Sequence, residues 1–247
     1  MERSDFQIAL TDVCQRLRSF LTDETNDWLV DLFAGGNDSQ SADDQDRKVD
    51  IPRIYEILVY LTMVHEVSRT TPVTCIKASG KHGYRLPYSP AEKRNFAFFR
   101  LNHNGQTYDL CNGTALPVEE EPDEHPDISL QQMKSANAES EPGIPRAIWD
   151  AKHHDKAALS KADIAQMFLW GSIFGLANYM NDGLLGKLFP AQFQVSSIVT
   201  NASRKPPHRK PLLRNGFSVV LDFRGPAAGR DPDPSPDEHL IYQQTST

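Results

Sequence analysis

Cysteine is scarce in this sequence: Cys14, Cys75 and Cys111 are the three among 247 residues, odd in number and far apart. That excludes a disulfide framework and a CxxC zinc module, and it leads us to expect a reduced, cytoplasmic setting. A basic excess is missing too. Lys and Arg number 26 against 33 Asp and Glu, for a formal net charge of -7. A basic coat that grips nucleic acid non-specifically is therefore excluded, and any such contact must use local patches. Long apolar runs are also absent. The stretch Ile164 to Asn181 carries no charge, but it only approaches the roughly 20 residues a membrane span needs, and Gln166, Ser172, Asn178 and Asn181 interrupt it. A buried helix is expected there. The start, MERSDFQIAL, carries an early acid and lacks a secretory apolar run, and no prenyl or myristoyl motif is present.

What is present suffices for a sizeable core, since 39% of the residues are hydrophobic. Phe6, Ile8, Leu10, Val13, Leu17 and Phe20 fall near helical spacing and predict an N-terminal helical segment over 1–36, running on through Trp28 to Phe33 and ended by Gly35-Gly36. Residues 37–49 are polar and acidic and read as a linker. Asp50 with Pro52 predicts a helix start, because the Asp accepts orphan amide protons and the proline has no donor to lose. That helix, Ile51 to Val67, is apolar over most of its circumference, so burial on more than one side is expected, with Glu56 in its middle.

From Pro72 the period shortens. Val73 to Ala78, Ala97 to Leu101 and Thr107 to Leu110 read as strands, the last two forming a hairpin because Asn104-Gly105 supplies positive φ. Val118 to Glu124 is acidic, and Glu119-Glu120-Glu121 within it reads as a solvating loop. Asp127 to Leu130 and Ala147 to Lys152 read as two more strands. Ser160 with Asp163 has capping-box spacing and predicts a helix from Ala162 to about Tyr179. Phe193 to Thr200 and Phe217 to Phe223 are expected strands, and the Pro- and Asp-rich tail, 225–247, is expected to be irregular. The expected fold class is α/β, with the main domain over 50–224.

Two short segments carry the chemistry: Pro126-Asp127-Ile128-Ser129-Leu130 and Ile148-Trp149-Asp150-Ala151-Lys152. Side chains alternate along a strand, so Asp150 and Lys152 share one face while Trp149 and Ala151 take the other. If Asp127 opens the neighbouring strand, its carboxylate converges with that of Asp150. Two hard oxygen donors a few ångströms apart suit Mg²⁺, with Mn²⁺ able to substitute. Such an ion activates water and neutralises charge at a phosphodiester, and Lys152 beside it would orient or help deprotonate the water.

Pro126-Asp127 with Asp150-Ala151-Lys152 resembles the PD-(D/E)XK, or restriction-endonuclease-like, nuclease superfamily. Ile54-Tyr55-Glu56-Ile57-Leu58 and Asp163-Ile164-Ala165-Gln166-Met167 are similar to helices of its McrC-like branch, so the likeness spans roughly Asp50 to Tyr179. The resemblance implies a mixed central sheet flanked by helices. It makes Glu56, Asp127 and Asp150 metal-site acids, Lys152 the catalytic lysine and Gln166 an accessory polar group near the phosphate. It implies a Mg²⁺-dependent endonuclease that cuts DNA to leave a 5′-phosphate, set in prokaryotic defence or restriction. McrC-like proteins pair with an NTP-driven ring. This chain has only a short region before Asp50 for docking, and it has no G-x-x-x-x-G-K-[ST] run of its own.

Each signal has a plainer reading. Glu56 also fits a solvated helix residue or a partner of Arg53, and Asp163 fits a helix cap better than a ligand. His153-His154 reads as a strand-end pair, since adjacent strand residues point oppositely. Cys75 and Cys111 read as small buried hydrophobes. Two basic segments are candidate nucleic-acid contacts: Lys77, Lys81 and Arg85, and Arg204, Lys205, Arg209 and Lys210. The other function class is a non-catalytic, nuclease-like subunit that binds nucleic acid or a protein partner. An RNA-directed nuclease is a lesser one, and a homodimer is a candidate assembly because two cuts need two sites.

Overall fold

The computed structural model describes residues 3–34, 51–80, 82–87, 90–119, 121–134, 141–154, 159–176, 183–203 and 209–225. The expected linker, Asp50, Lys81, Arg204, Lys205, the Arg209 side chain and the tail beyond 225 lie outside them.

The central helix is α3, Ile51–Ser68. Its apolar residues circle the axis, and every side chain from Ile54 to Val64 is buried, Glu56 included. One side packs on the sheet and another on α1, Arg3–Leu17, whose Phe6, Leu10, Val13 and Leu17 enter the same core. The single helix expected over Phe6 to Phe33 is instead two. The amides of Phe20 and Leu21 close on the Leu17 carbonyl. Thr22 Oγ1 then accepts from the Thr25 amide at 3.2 Å, an N-cap that starts α2, Asp23–Ala34. Apolar spacing across residues 17–21 hid this break.

A seven-stranded mixed sheet forms the other layer. Its strands are β1 (Val73–Ile76), β2 (Phe98–His103), β3 (Gln106–Asn112), β6 (Ile128–Gln132), β7 (Ile144–Lys152), β8 (Ser197–Thr200) and β9 (Ser218–Val220), neighbours in that order. Pairing is antiparallel from β1 to β7 and parallel from β7 through β9. The β2–β3 hairpin turns at Asn104 (φ 50°) and Gly105 (φ 74°), as Asn-Gly predicts. The acidic segment forms a hairpin: β4, Leu116–Val118, pairs with β5, Glu121–Glu124, as a separate two-stranded sheet, so of the expected Glu119–Glu121 loop Glu119 lies in a turn, Glu120 lies outside the described residues and Glu121 is strand. Between β6 and β7 the register shifts once, at Leu130/Gln131, so the ladder carries a bulge there.

Helices cover both faces. Trp149, Ala151 and Val199 face α3 in the larger core, whereas Ile148 and Ile198 belong to a second core with Ile164, Met167 and Trp170 of α4, Lys161–Ile173. The predicted capping box opens α4: Ser160 Oγ accepts from the Asp163 amide at 3.2 Å, and Asp163 Oδ2 accepts from the Ser160 amide at 2.7 Å. This helix stops at Ile173 rather than near Tyr179, because Gly175 turns into the left-handed region (φ 58°). The strand expected from Phe193 begins only at Ser197, after a 3-10 turn over Ala191–Phe193. Two short helices complete the layer, α5 (Leu184–Leu188) and α6 (Arg209–Arg214). No described helix is long and apolar enough to cross a membrane.

Candidate functional site

β6 and β7 bring the predicted acids together. Ile128 pairs with Trp149 and Ser129 with Ile148, so one step further along the same register sets Asp127 across from Asp150. The link is explicit in the backbone: Asp127 Oδ2 accepts from the Ala151 amide at 2.9 Å. The Asp127 carbonyl also accepts from the Gly113 amide at 2.6 Å, which ties the start of β6 to the end of β3. Alternation along β7 then places Lys152 with Asp150. Lys152 Nζ lies 2.7 Å from Asp150 Oδ1 and 3.5 Å from Asp127 Oδ2. Two aspartates and one lysine thus meet where β7 ends.

Glu56 approaches from α3. Arg53, one turn earlier on the helix, donates from Nη1 to Glu56 Oε2 at 2.6 Å. This is the pairing that the plainer reading of Glu56 anticipated. Asp127 and Lys152 are still near enough to act on its charge. The cluster therefore holds three carboxylates against two cations.

Burial makes that imbalance costly. Glu56 is pushed up to about 8, first by burial and then by the Asp127 charge, against the pull of Arg53 and Lys152. Asp150, whose side chain is 0% exposed, is held well above the usual carboxylate range by burial and by Asp127, with Lys152 opposing. Burial works against the Lys152 ammonium, but Asp127, Asp150 and Glu56 outweigh it and raise its affinity for the proton. Lys152 is consequently a firm cation here and a poor base.

One group stands out. Both Asp150 oxygens are buried; Oδ1 lies 2.7 Å from Lys152 Nζ, and the Asp127 carboxylate is close enough to share a hydrogen bond while Asp150 keeps its proton. Once ionised, Asp150 has no donor for its second oxygen, at a cost on the order of 1–3 kcal/mol or more. An incoming cation or donor would remove that cost. Hard oxygen donors of this kind suit Mg²⁺ or Mn²⁺. Yet among the described residues no group of three or more His, Cys, Asp and Glu side chains is spaced to hold an ion. Lys152 stands between the two aspartates and Arg53 occupies one oxygen of Glu56, so the three acids are near one another without forming a ready cage.

Other candidates fall elsewhere. Gln166 does not join the carboxylates: its Nε2 donates to Glu124 Oε2 at 3.4 Å, and Trp170 Nε1 donates to the same oxygen at 2.8 Å. Glu124 was missed in the sequence, although it lies three residues before Asp127 and its two donors sit at i and i+4 of one helix. It fastens the end of β5 to α4. His154 Nε2 lies 3.4 Å from Asp163 Oδ2, and His153 packs its ring among Phe6 and Tyr55. The two histidines, just past the end of β7, face different partners. Cys14, Cys75 and Cys111 are each pushed up to about 12 by burial, so none is a thiolate near neutral pH. Lys77 and Arg85 are exposed on the segment between β1 and β2, and Lys210 is exposed on α6.

Comparison of the chain with family models, with curated proteins and with solved structures gives no match.

Proposed function

We propose that this chain is a restriction-endonuclease-like, metal-dependent endonuclease that hydrolyses DNA phosphodiester bonds. The observation that carries the reading is the meeting of Asp127, Asp150 and Lys152 where β6 starts and β7 ends, around a buried Asp150 carboxyl. The element order supports it as well: a buried helix bearing an acid, an antiparallel pair bearing both aspartates, then a capped helix leading to a parallel strand.

Asp127 and Asp150 would hold a divalent cation, with Glu56 contributing once Arg53 turns to substrate. A bound Mg²⁺ or Mn²⁺ would acidify water and offset charge on the phosphate oxygens. The remaining work belongs to side chains. Lys152, a firm cation, donates to a non-bridging phosphate oxygen and orients the attacking water, and it does not act as the base. Glu56, where it is not itself on the cation, is placed beside the aspartates to take a proton from water. Water oxygen bonds to phosphorus as the bond to the 3′ oxygen breaks, giving a 3′ hydroxyl and a 5′-phosphate. A role in prokaryotic defence or restriction fits this chemistry, with a homodimer or a recognition subunit as partner.

A second reading has its own observation. Lys152 already neutralises both aspartates, which suits a nuclease-like subunit that binds nucleic acid or a partner without cutting. Incubation of supercoiled plasmid with the protein and Mg²⁺ separates the two readings. Nicking that EDTA and Asp150→Asn both abolish is expected; intact plasmid across Mg²⁺ and Mn²⁺ and a range of pH would favour the binding subunit.

A further inference from the structure

The segment between β1 and β2 leaves the sheet at the same end as the aspartates. Ile76 pairs with Phe98, Phe99 with Leu110, Asn112 with Ile128, and Ile128 with Trp149, so the exits of β1, β3 and β7 lie along one rim. The segment is also tied to that rim directly: Asn112 Nδ2 donates to the Pro87 carbonyl at 2.7 Å, and the Ala91 amide to the Gly113 carbonyl at 2.9 Å.

Its outer residues combine flat rings with cations. The His82 ring lies stacked on Phe96, with centroids 4.4 Å apart and planes inclined by 16°, and both side chains are half-buried. Lys77 Nζ sits 5.4 Å over the Tyr84 ring. Lys77, Arg85 and Arg94 are exposed, and Arg94 is paired with Glu92. The backbone beneath is fixed, since the Ala78 amide donates to the Gly83 carbonyl at 2.8 Å and the Ala97 amide to the Arg85 carbonyl at 2.8 Å. A surface pinned at these points that offers stacked rings edged by cations has the chemistry that holds unpaired bases and their phosphates, whereas duplex bases expose no faces to stack on.

We infer that the His82–Phe96 and Lys77–Tyr84 pairs form a platform for single-stranded DNA, which would hold an unpaired stretch beside the aspartates. The choice of DNA rests on the nuclease reading; the preference for an unpaired strand rests on the rings. β1 stands four strand positions from β7, roughly 19 Å at strand spacing. At roughly 3.4 Å per stacked nucleotide that is five or six nucleotides. The substrate would then be a junction, flap or melted site rather than uninterrupted duplex.

Fluorescence anisotropy of a labelled 20-nucleotide strand, in EDTA so that nothing is cut, tests the platform separately from catalysis. The single strand is expected to bind about tenfold more tightly than the duplex of the same sequence. His82→Ala should weaken single-strand binding about fivefold or more and leave duplex binding nearly unchanged. Arg85→Ala, at an exposed site, should weaken it about twofold or more while the melting curve stays in place. Equal or tighter duplex binding, or unchanged single-strand binding in both variants, overturns the platform; an RNA strand bound more tightly than its DNA equivalent overturns the assignment to DNA. A chain that binds single strands but nicks nothing would retain the platform and lose the nuclease reading, and one that cuts duplex without the preference would do the reverse.

Discussion

Two ionic clusters lie in this sheet, and they are built to opposite rules. Around Asp109 on β3, two cations serve one carboxylate: Lys93 Nζ reaches Oδ2 at 2.6 Å, and Arg100 reaches Oδ1 at 2.7 Å through Nε and Oδ2 at 2.9 Å through Nη2. Lys93 also donates to the Glu141 carbonyl at 3.2 Å and lies 4.6 Å from the Phe98 ring centroid. Both oxygens of Asp109 are satisfied, and its side chain and that of Lys93 are 0% exposed. Around Asp150 the ratio reverses, with three carboxylates for two cations. The first arrangement is complete without help. The second keeps an excess carboxylate, whose charge a proton or an added cation would balance.

Removing the anion from the complete cluster should do the most damage. Asp109→Ala strands Lys93 and Arg100, and the loss of one partner from a buried ionic group costs about 3–5 kcal/mol. Thermal denaturation should show a fall of roughly 6–20 °C that Mg²⁺ does not restore. A smaller fall would show that the Asp109 cluster is less tightly built than its geometry suggests.

The reversed cluster should respond the other way. Asp150→Asn replaces a buried carboxyl whose charged form burial and Asp127 both disfavour, so stability at pH 8 should hold or rise, while plasmid nicking falls by about 10³-fold or more. Should the variant melt well below the parent chain, the Asp150 cluster would be structural after all.

pH sharpens the contrast. Glu56 titrates in the fold at about 8 against an unfolded value near 4.5, so between those limits the folded chain holds more protons than the unfolded one. Stability must then fall as pH rises through that window, by on the order of 5 kcal/mol from this group. Urea denaturation between pH 5 and pH 9 should show that decline, and Glu56→Gln should flatten it. Mn²⁺ should restore more stability at pH 8.5 than at pH 5.5, because carboxylates bind it once deprotonated. A slope that Glu56→Gln leaves unchanged would assign the titration to another group.

The smallest expected effect lies at the start of α4. Ser160→Ala removes one half of the capping box and should cost about 1 kcal/mol in the same denaturation series. Because Asp163 also lies near His154, a larger loss would reveal that the cap supports the end of β7.

How much of this was legible in the sequence follows from the range of each signal. Asp150-Ala151-Lys152 was readable because strand alternation is local, and the apolar surround of Glu56 because helical periodicity is local too. Asn104-Gly105 declared its turn for the same reason. The β4–β5 hairpin was not readable: Glu121 through Glu124 carries residues that strands disfavour, and only pairing with Leu116 and Val118 makes it a strand. Lys93 and Asp109 are 16 residues apart in different elements, so no period links them. Gln166 was noticed for its polarity, but its partner Glu124 is 42 residues earlier, and the bond between them needed the folded helix.

The bulge at Leu130/Gln131 has a consequence for how this chain tolerates change. It lies between the Asp127–Asp150 pairing and the connection that leads from β6 into β7. From Leu130 back to Asp127 the ladder keeps one register, so a single insertion between Asp127 and Leu130 would turn one aspartate to the opposite face of the sheet, with no second offset on that side of the bulge to correct it.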